Sequence, residues 1–176
     1  MNIIMPIGIS GSGKSTLYKM YYKNLPVVCP DEIRKEITGN ISDQSKNNEV
    51  FGEVFKRVEN LIRQGKSFFY DATNLNKRLR RRFIADYKRP GVKIIYVVLP
   101  ANIEVSYERI KNDLNSGKDR SNVPYDELKR QYNMYMESIK SDLKGEGADE
   151  IILMKDESMM DYKDIDMSKF TEIIEK

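Results

Sequence analysis

GISGSGKS, residues 8–15, follows directly on the apolar run NIIMPI, residues 2–7. The pattern GxxxxGK[ST] needs two glycines, a lysine and a hydroxyl at fixed offsets, and Gly8, Gly13, Lys14 and Ser15 supply them. Gly8 and Gly13 permit a tight backbone path, and Gly11 leaves room for a phosphate to approach. Successive backbone N–H groups along Ser10, Gly11, Ser12, Gly13, Lys14 and Ser15 then converge as an anion nest, and the following helix adds its positive end. Lys14 can reach β- and γ-phosphates, Ser15 can hold Mg²⁺, and Thr16 caps or packs the loop. A strand before and a helix after set this stretch apart from a chance glycine turn. ATP is the default nucleotide, because no NKxD-type guanine-reading motif follows the fourth strand.

On either side of this loop, strands and helices alternate. NIIMPI (2–7), PVVC (26–29), SFFYD (67–71), KIIYVVL (93–99) and EIILM (150–154) read as five strands. Between them lie a helix through Thr16–Tyr22 and one opened by PDEIRKEIT and stopped by Gly39. Further helices carry Val50, Val54, Val58 and Ile62, then Leu75 to Tyr87. The last two carry the stripes Ile103, Tyr107, Ile110, Leu114 and Leu128, Tyr132, Tyr135, Ile139, with Pro124 suited to a first turn. This order predicts an α/β fold, a P-loop NTPase three-layer sandwich with a mostly parallel sheet covered on both faces. In such sheets ligands bind beyond the carboxyl ends of the strands. The Gly8 loop, Asp31 and Asp71 each follow a strand, so they are expected to meet at one edge.

The 176 residues suit one domain, able to bury roughly 70% of its unfolded surface without a staple. The single cysteine, Cys29, excludes an intrachain disulfide and reads as a small buried hydrophobe. No signal peptide pattern is present, and no run approaches the ~20 apolar residues of a membrane span, so a cytoplasmic setting is expected. There is no histidine, which excludes histidine acid–base chemistry and histidine-ligated zinc. Net charge is +3, unevenly spread: residues 146–176 hold ten Asp/Glu against four Lys, leaving a basic body that suits a polyanion or a solvated lysine-rich surface.

SFFYD could serve as the acid-ending strand of a switch ATPase. The short chain and an arginine-bearing late loop favour a kinase, in which a lid brings arginines onto the transferring phosphates and excludes water. The lid is placed at about residues 109–130, with Arg120 in GKDRSNVP and Arg109 beside the buried stripe, and Lys118 as a helper. On the acceptor side, Asp31 and Arg34 of DEIR share a helix face. A carboxylate there can take a proton from an acceptor hydroxyl, with the arginine holding an anionic group, and an ordinary helix-start aspartate with a salt bridge would look the same.

GISGSGKST, DEIR and DATNLN, in this order and spacing, resemble the kinase domain of phage and bacterial P-loop polynucleotide 5′-kinases, over roughly Ile3 to Ile139. The resemblance implies an ATP- and Mg²⁺-dependent enzyme that repairs DNA or RNA ends. It implies Asp31 as general base for the 5′-hydroxyl, Arg34 on the acceptor's phosphate, and Arg120 and Arg109 on the ATP phosphates. Asp71, Thr73 and Asn74 of DATNLN would contact the acceptor, or hold water on Mg²⁺ and stiffen the turn. Ala72 stands where some of these kinases place the acid, and the same motif occurs across a broader group of small P-loop kinases with no assigned acceptor, so it identifies the superfamily better than the substrate. A small-metabolite kinase and a nucleotide-gated interaction module therefore stay open. KRLRRRF, residues 77–83, is either a track for a nucleic-acid backbone or the wet face of a helix with Leu75, Leu79 and Phe83 turned inward. The acidic tail is expected to pack on the sheet or on a sister subunit.

Overall fold

The computed structural model describes residues 1–118, 120–155 and 158–161. Six strands form one sheet: β1 (Asn2–Ile7), β2 (Val27–Val28), β3 (Phe68–Tyr70), β4 (Lys93–Val98), β5 (Glu150–Lys155) and β6 (Ser158–Asp161). Their order is β2-β3-β1-β4-β5-β6. The first five are mutually parallel, and β6 pairs antiparallel with β5 at the edge. This sixth strand lies in the acidic tail, whose weak apolar patterning gave no sign of it. The remainder of the tail lies outside the described residues, as does its expected packing.

Both sides of the sheet are apolar, so the strands read as continuous hydrophobic runs. Ile3, Met5, Ile7, Ile94, Tyr96 and Val98 turn to one core, whereas Ile4, Ile95, Val97 and Leu99 turn to the other. The first core is covered by α2 (Pro30–Thr38), α3 (Asn47–Arg63), α4 (Lys77–Tyr87), α5 (Ile103–Asn115) and α6 (Tyr125–Lys140). The second layer is thinner. It consists of α1 (Lys14–Leu17) and the π-helical turn Tyr18–Tyr22, whose rings pack on Phe69 at 5.3 and 5.7 Å. Among the described residues no helix is long and apolar enough to cross a membrane.

Three expectations change in detail. The helix after the phosphate loop widens into a π turn, which lets both Tyr18 and Tyr22 reach Phe69. Cys29 is half-buried at the cap of α2, and burial pushes its thiol up to about 11, leaving it unreactive. In α4 the inward face is Arg80, Phe83, Ile84 and Tyr87, while Leu79 is 63% exposed. Leu75, Leu79 and Phe83 are four apart, but Leu75 precedes the helix, which begins at Lys77 behind an Asn76 cap. The inward place nearest Leu79 is taken by an arginine.

Candidate active site

The loop after β1 adopts the backbone its glycines allow. Gly11 and Gly13 have φ of +79° and +102°, in the left-handed region that favours glycine. Gly11 also lies against α5: a Cβ there would meet the Ser106 carbonyl oxygen at 2.5 Å. Its smallness thus admits a neighbouring helix, an addition to the room for phosphate expected of it. The Lys14 ammonium donates to the carbonyls of Gly8 (3.1 Å) and Ile9 (2.8 Å). Burial lowers its pKa to about 8, an effect opposed by Asp71 and Asp31 and reinforced by Arg120. A positive charge is therefore held here at a cost that an incoming phosphate would relieve. Ser15 and Thr16 stand exposed, and the Ser12 hydroxyl is buried with no hydrogen-bond partner among the described residues.

Backbone hydrogen bonds draw three strand ends together. Gly8 N–H donates to the Thr73 carbonyl at 3.1 Å, and Asp71 N–H donates to the Val28 carbonyl at 2.9 Å. The loop after β1, the turn after β3 and the start of α2 after β2 thereby share one edge. The charges of Asp71, Arg120 and Asp31 all act on Lys14, so these groups lie within electrostatic reach of one ammonium. Asp71 is largely buried, and burial raises its carboxyl pKa, with Lys14 opposing and Asp31 and Glu32 adding to the rise.

Asp31 and Arg34 sit one turn apart at the start of α2 and form an ion pair. Asp31 is exposed, Arg34 is 9% exposed, and the Arg34 Nε has no partner among the described residues. At φ +50° the Asn74 amide donates to the carbonyls of Pro6 (2.7 Å) and Ala72 (3.1 Å), contacts that stiffen the turn.

Arg109 leans across the loop, its Nη1 donating to the Gly11 carbonyl at 3.3 Å. Arg120 is held by Asp113 at 2.8 Å, and Lys118 reaches the other oxygen of the same carboxylate at 2.5 Å. The Arg120 Nε is buried without a partner among the described residues. Asp113 clasps the predicted lid loop to α5, and Tyr107 meets Tyr125 edge-on at 5.2 Å to join α5 to α6.

Two functional candidates escaped the sequence reading. Gln131, one residue from a stripe position of α6, accepts the Ser10 N–H at 2.9 Å and so ties that helix to the phosphate loop. Arg80 is 1% exposed and forms a bidentate pair with Glu146 at 2.8 and 2.6 Å, while Tyr96 donates to the same carboxylate at 3.1 Å. Its remaining nitrogen donates to the carbonyls of Asn74 (2.8 Å) and Leu75 (3.0 Å). Arg80 thus braces the turn that carries Asp71 and Thr73. Only the density of arginine in KRLRRRF could have hinted at it, because the partner lies 66 residues away.

A family model described as an AAA domain, AAA_33, matches residues 3–137. No curated protein matches the chain. Among solved structures, a chain of the Pnkp1/Rnl/Hen1 RNA repair complex is 20% identical, with a TM-score of 0.70. That match covers 80% of this chain and 46% of the other, so this chain spans less than half the length of that relative. A chain of the PezAT chromosomal toxin–antitoxin system of Streptococcus pneumoniae gives a TM-score of 0.72 at 15% identity, covering 98% and 75% of the two chains. The tunicamycin resistance protein of Deinococcus radiodurans gives 0.52 at 18% identity, covering 98% and 92%. These likenesses show a shared P-loop kinase fold.

Proposed function

The chain belongs to the AAA_33 family and has a P-loop kinase fold, and on that premise we propose that it transfers the γ-phosphoryl group of ATP to the 5′-hydroxyl end of DNA or RNA. The observation that carries this reading is the Asp31–Arg34 pair beside Lys14. An exposed carboxylate for a hydroxyl and a buried guanidinium with an unspent N–H for an anion stand together at the edge that holds the phosphate loop. A terminal nucleotide carries both features, a 5′-hydroxyl and a 3′-phosphate, on one small unit.

In this scheme Lys14 and the loop amides hold the donor phosphates, with Arg109 and Arg120 on the transferring group. Asp31 orients the acceptor hydroxyl and takes its proton. Arg34 grips the 3′-phosphate with a bidentate fork, and Thr73 with Asp71 forms the floor between donor and acceptor. Ser15, exposed after Lys14, is the residue that would hold Mg²⁺, which when bound would neutralise charge developing on the oxygens of the transferring phosphate. The Arg120 Nε, unsatisfied and buried, is a donor in reserve for the same oxygens. The proposed domain is the whole chain, with residues 109–130 as its lid.

The test is label transfer from γ-labelled ATP into 5′-hydroxyl DNA and RNA oligonucleotides beside a panel of nucleosides, sugars and other metabolites. Transfer to the oligonucleotides supports the reading. Transfer confined to a metabolite would replace it with a small-molecule kinase.

Two further outcomes follow from the site. Arg34→Ala is expected to raise KM for a 3′-phosphorylated nucleoside about 10–100-fold, the value of a charge-assisted contact, and to affect the unphosphorylated nucleoside far less. Steady-state kinetics with both acceptors check this, and equal harm to both would remove the 3′-phosphate contact. The second concerns pH. Lys14 in the free protein titrates at about 8, and bound phosphate favours its charged form. Below that pH, down to the second ionisation of the terminal phosphate at about 6, the ammonium is already charged and ATP affinity is flat. Above it, binding must take up a proton, so affinity falls by up to about tenfold per pH unit. Calorimetric titration in buffers of different ionisation heat is expected to show proton uptake only on the alkaline side, and an affinity constant well past pH 8 would contradict it.

A further inference from the structure

We propose that the exposed face of α4 is the track for the phosphates of the acceptor strand beyond its reacting end, an inference that rests on the polynucleotide reading above. α4 starts at Lys77, immediately after the turn that carries Asp71 and Thr73, so its first residues stand at the mouth of the site. Its inward face is filled by Arg80, Phe83, Ile84 and Tyr87, which leaves Arg78, Leu79, Arg81 and Arg82 facing out. Arg78, Arg81 and Arg82 lie three and four apart and form one ridge.

The ridge is largely unneutralised. Arg34, Arg57, Arg80, Arg89, Arg120 and Arg130 each hold a carboxylate. Arg78 and Arg81 have none among the described residues. Arg82 has only Asp86 at 3.6 Å, with both side chains in water, a contact worth little. The neighbouring helix α3 carries Glu49, Glu53 and Glu59, yet their described ion pairs go to Lys46, Lys56, Arg57 and Arg89.

The ridge is also rigidly placed. Asn76 accepts the Leu79 N–H at 3.2 Å to cap the helix, and Arg80 bolts it to Glu146 and to the carbonyls of Asn74 and Leu75. Lys77 and Arg81 are one turn apart, about 6 Å along the axis, a step comparable with that between phosphates of an extended strand. Guanidinium groups suit such a strand because they grip phosphate oxygens and lie flat on bases. Leu79, 63% exposed between them, adds apolar contact for a sugar or base. The occupant is thus a single-stranded nucleic acid, and an acidic protein segment is an outcome to be tested against it.

The experiment compares the parent, the double variant R78E/R81E and R63E. Arg63 has no ion pair among the described residues either, but it ends α3, which leads into the amino end of β3, away from the site. Binding of a 5′-hydroxyl oligonucleotide is followed by fluorescence anisotropy over a range of salt, and kcat/KM is measured for that oligonucleotide and for a 3′-phosphorylated nucleoside. R78E/R81E is expected to weaken oligonucleotide binding about tenfold or more at low salt. The slope of log affinity on log salt is expected to become shallower by about 1.4, at about 0.7 per lost phosphate contact. The nucleoside acceptor and R63E are expected to match the parent. If the parent phosphorylates the oligonucleotide and R78E/R81E binds it with the same affinity and slope, the track is wrong and the 5′-kinase reading stands. Equal loss on both acceptors, or equal competition by polyaspartate, also overturns the track. A parent that phosphorylates metabolites and no oligonucleotide overturns both.

Discussion

Asp31→Asn is expected to slow phosphoryl transfer by about 10²–10⁴-fold, the usual cost of losing a general base, while ATP affinity stays nearly unchanged. The separation follows from where the residue sits. Asp31 belongs to α2, after β2, whereas the donor phosphates are expected on the loop after β1. An amide has almost the same shape as the carboxylate and can still accept from Arg34, but it cannot take a proton from a hydroxyl. Single-turnover transfer and nucleotide binding, measured on the same preparation, separate the two effects. A variant that transfers at the parent rate would remove Asp31 as base and turn attention to Asp71, a further carboxylate at this edge whose charge acts on Lys14.

Lys14→Ala is expected to lower kcat/KM for ATP by roughly a hundredfold with every acceptor. Electrostatic contacts to developing charge are commonly worth about 3 kcal/mol in the transition state. The ammonium is turned onto the Gly8 and Ile9 carbonyls. It can swing from them to a phosphate without disturbing the backbone. Because burial depresses its pKa, carrying the charge is a net cost to the folded state. The variant is therefore expected to melt close to the parent temperature, so that lost activity is not lost fold. The loss should be the same for an oligonucleotide and a nucleoside acceptor, in contrast to Arg34→Ala. Parent-like activity would refute the role of Lys14.

What could be read from the sequence, and what could not, divides by distance along the chain. The phosphate loop was legible because its glycines, lysine and hydroxyl fall within eight residues, between an apolar strand and a helix. The five parallel strands were legible because burial on both faces makes them continuous apolar runs. Asp31 and Asp71 could be brought to the loop from topology alone, since each follows a strand of one parallel sheet. The contacts that hold this edge in shape were not legible. Arg80 reaches Glu146 across 66 residues, and Gln131 reaches Ser10 across 121. Periodicity ranks both as polar and hence outward. For Arg80 that ranking fails, because a fully paired guanidinium can occupy a core position and displace a leucine to the surface. The need for glycine at position 11 was half seen: the phosphate side was legible, and the approach of α5 to the Ser106 carbonyl was not. β6 was not legible because it is four residues long and its two methionines are adjacent, so no alternation shows.

The most direct test of the central claim uses one oligonucleotide in two forms, with a 5′-hydroxyl and with a 5′-phosphate, incubated with γ-labelled ATP and the full chain. Label is expected to enter the hydroxyl form alone, to be released by a phosphatase, and to appear on the 5′-terminal nucleotide after nuclease digestion. Absence of label from the hydroxyl form, in a preparation that binds ATP, would contradict it.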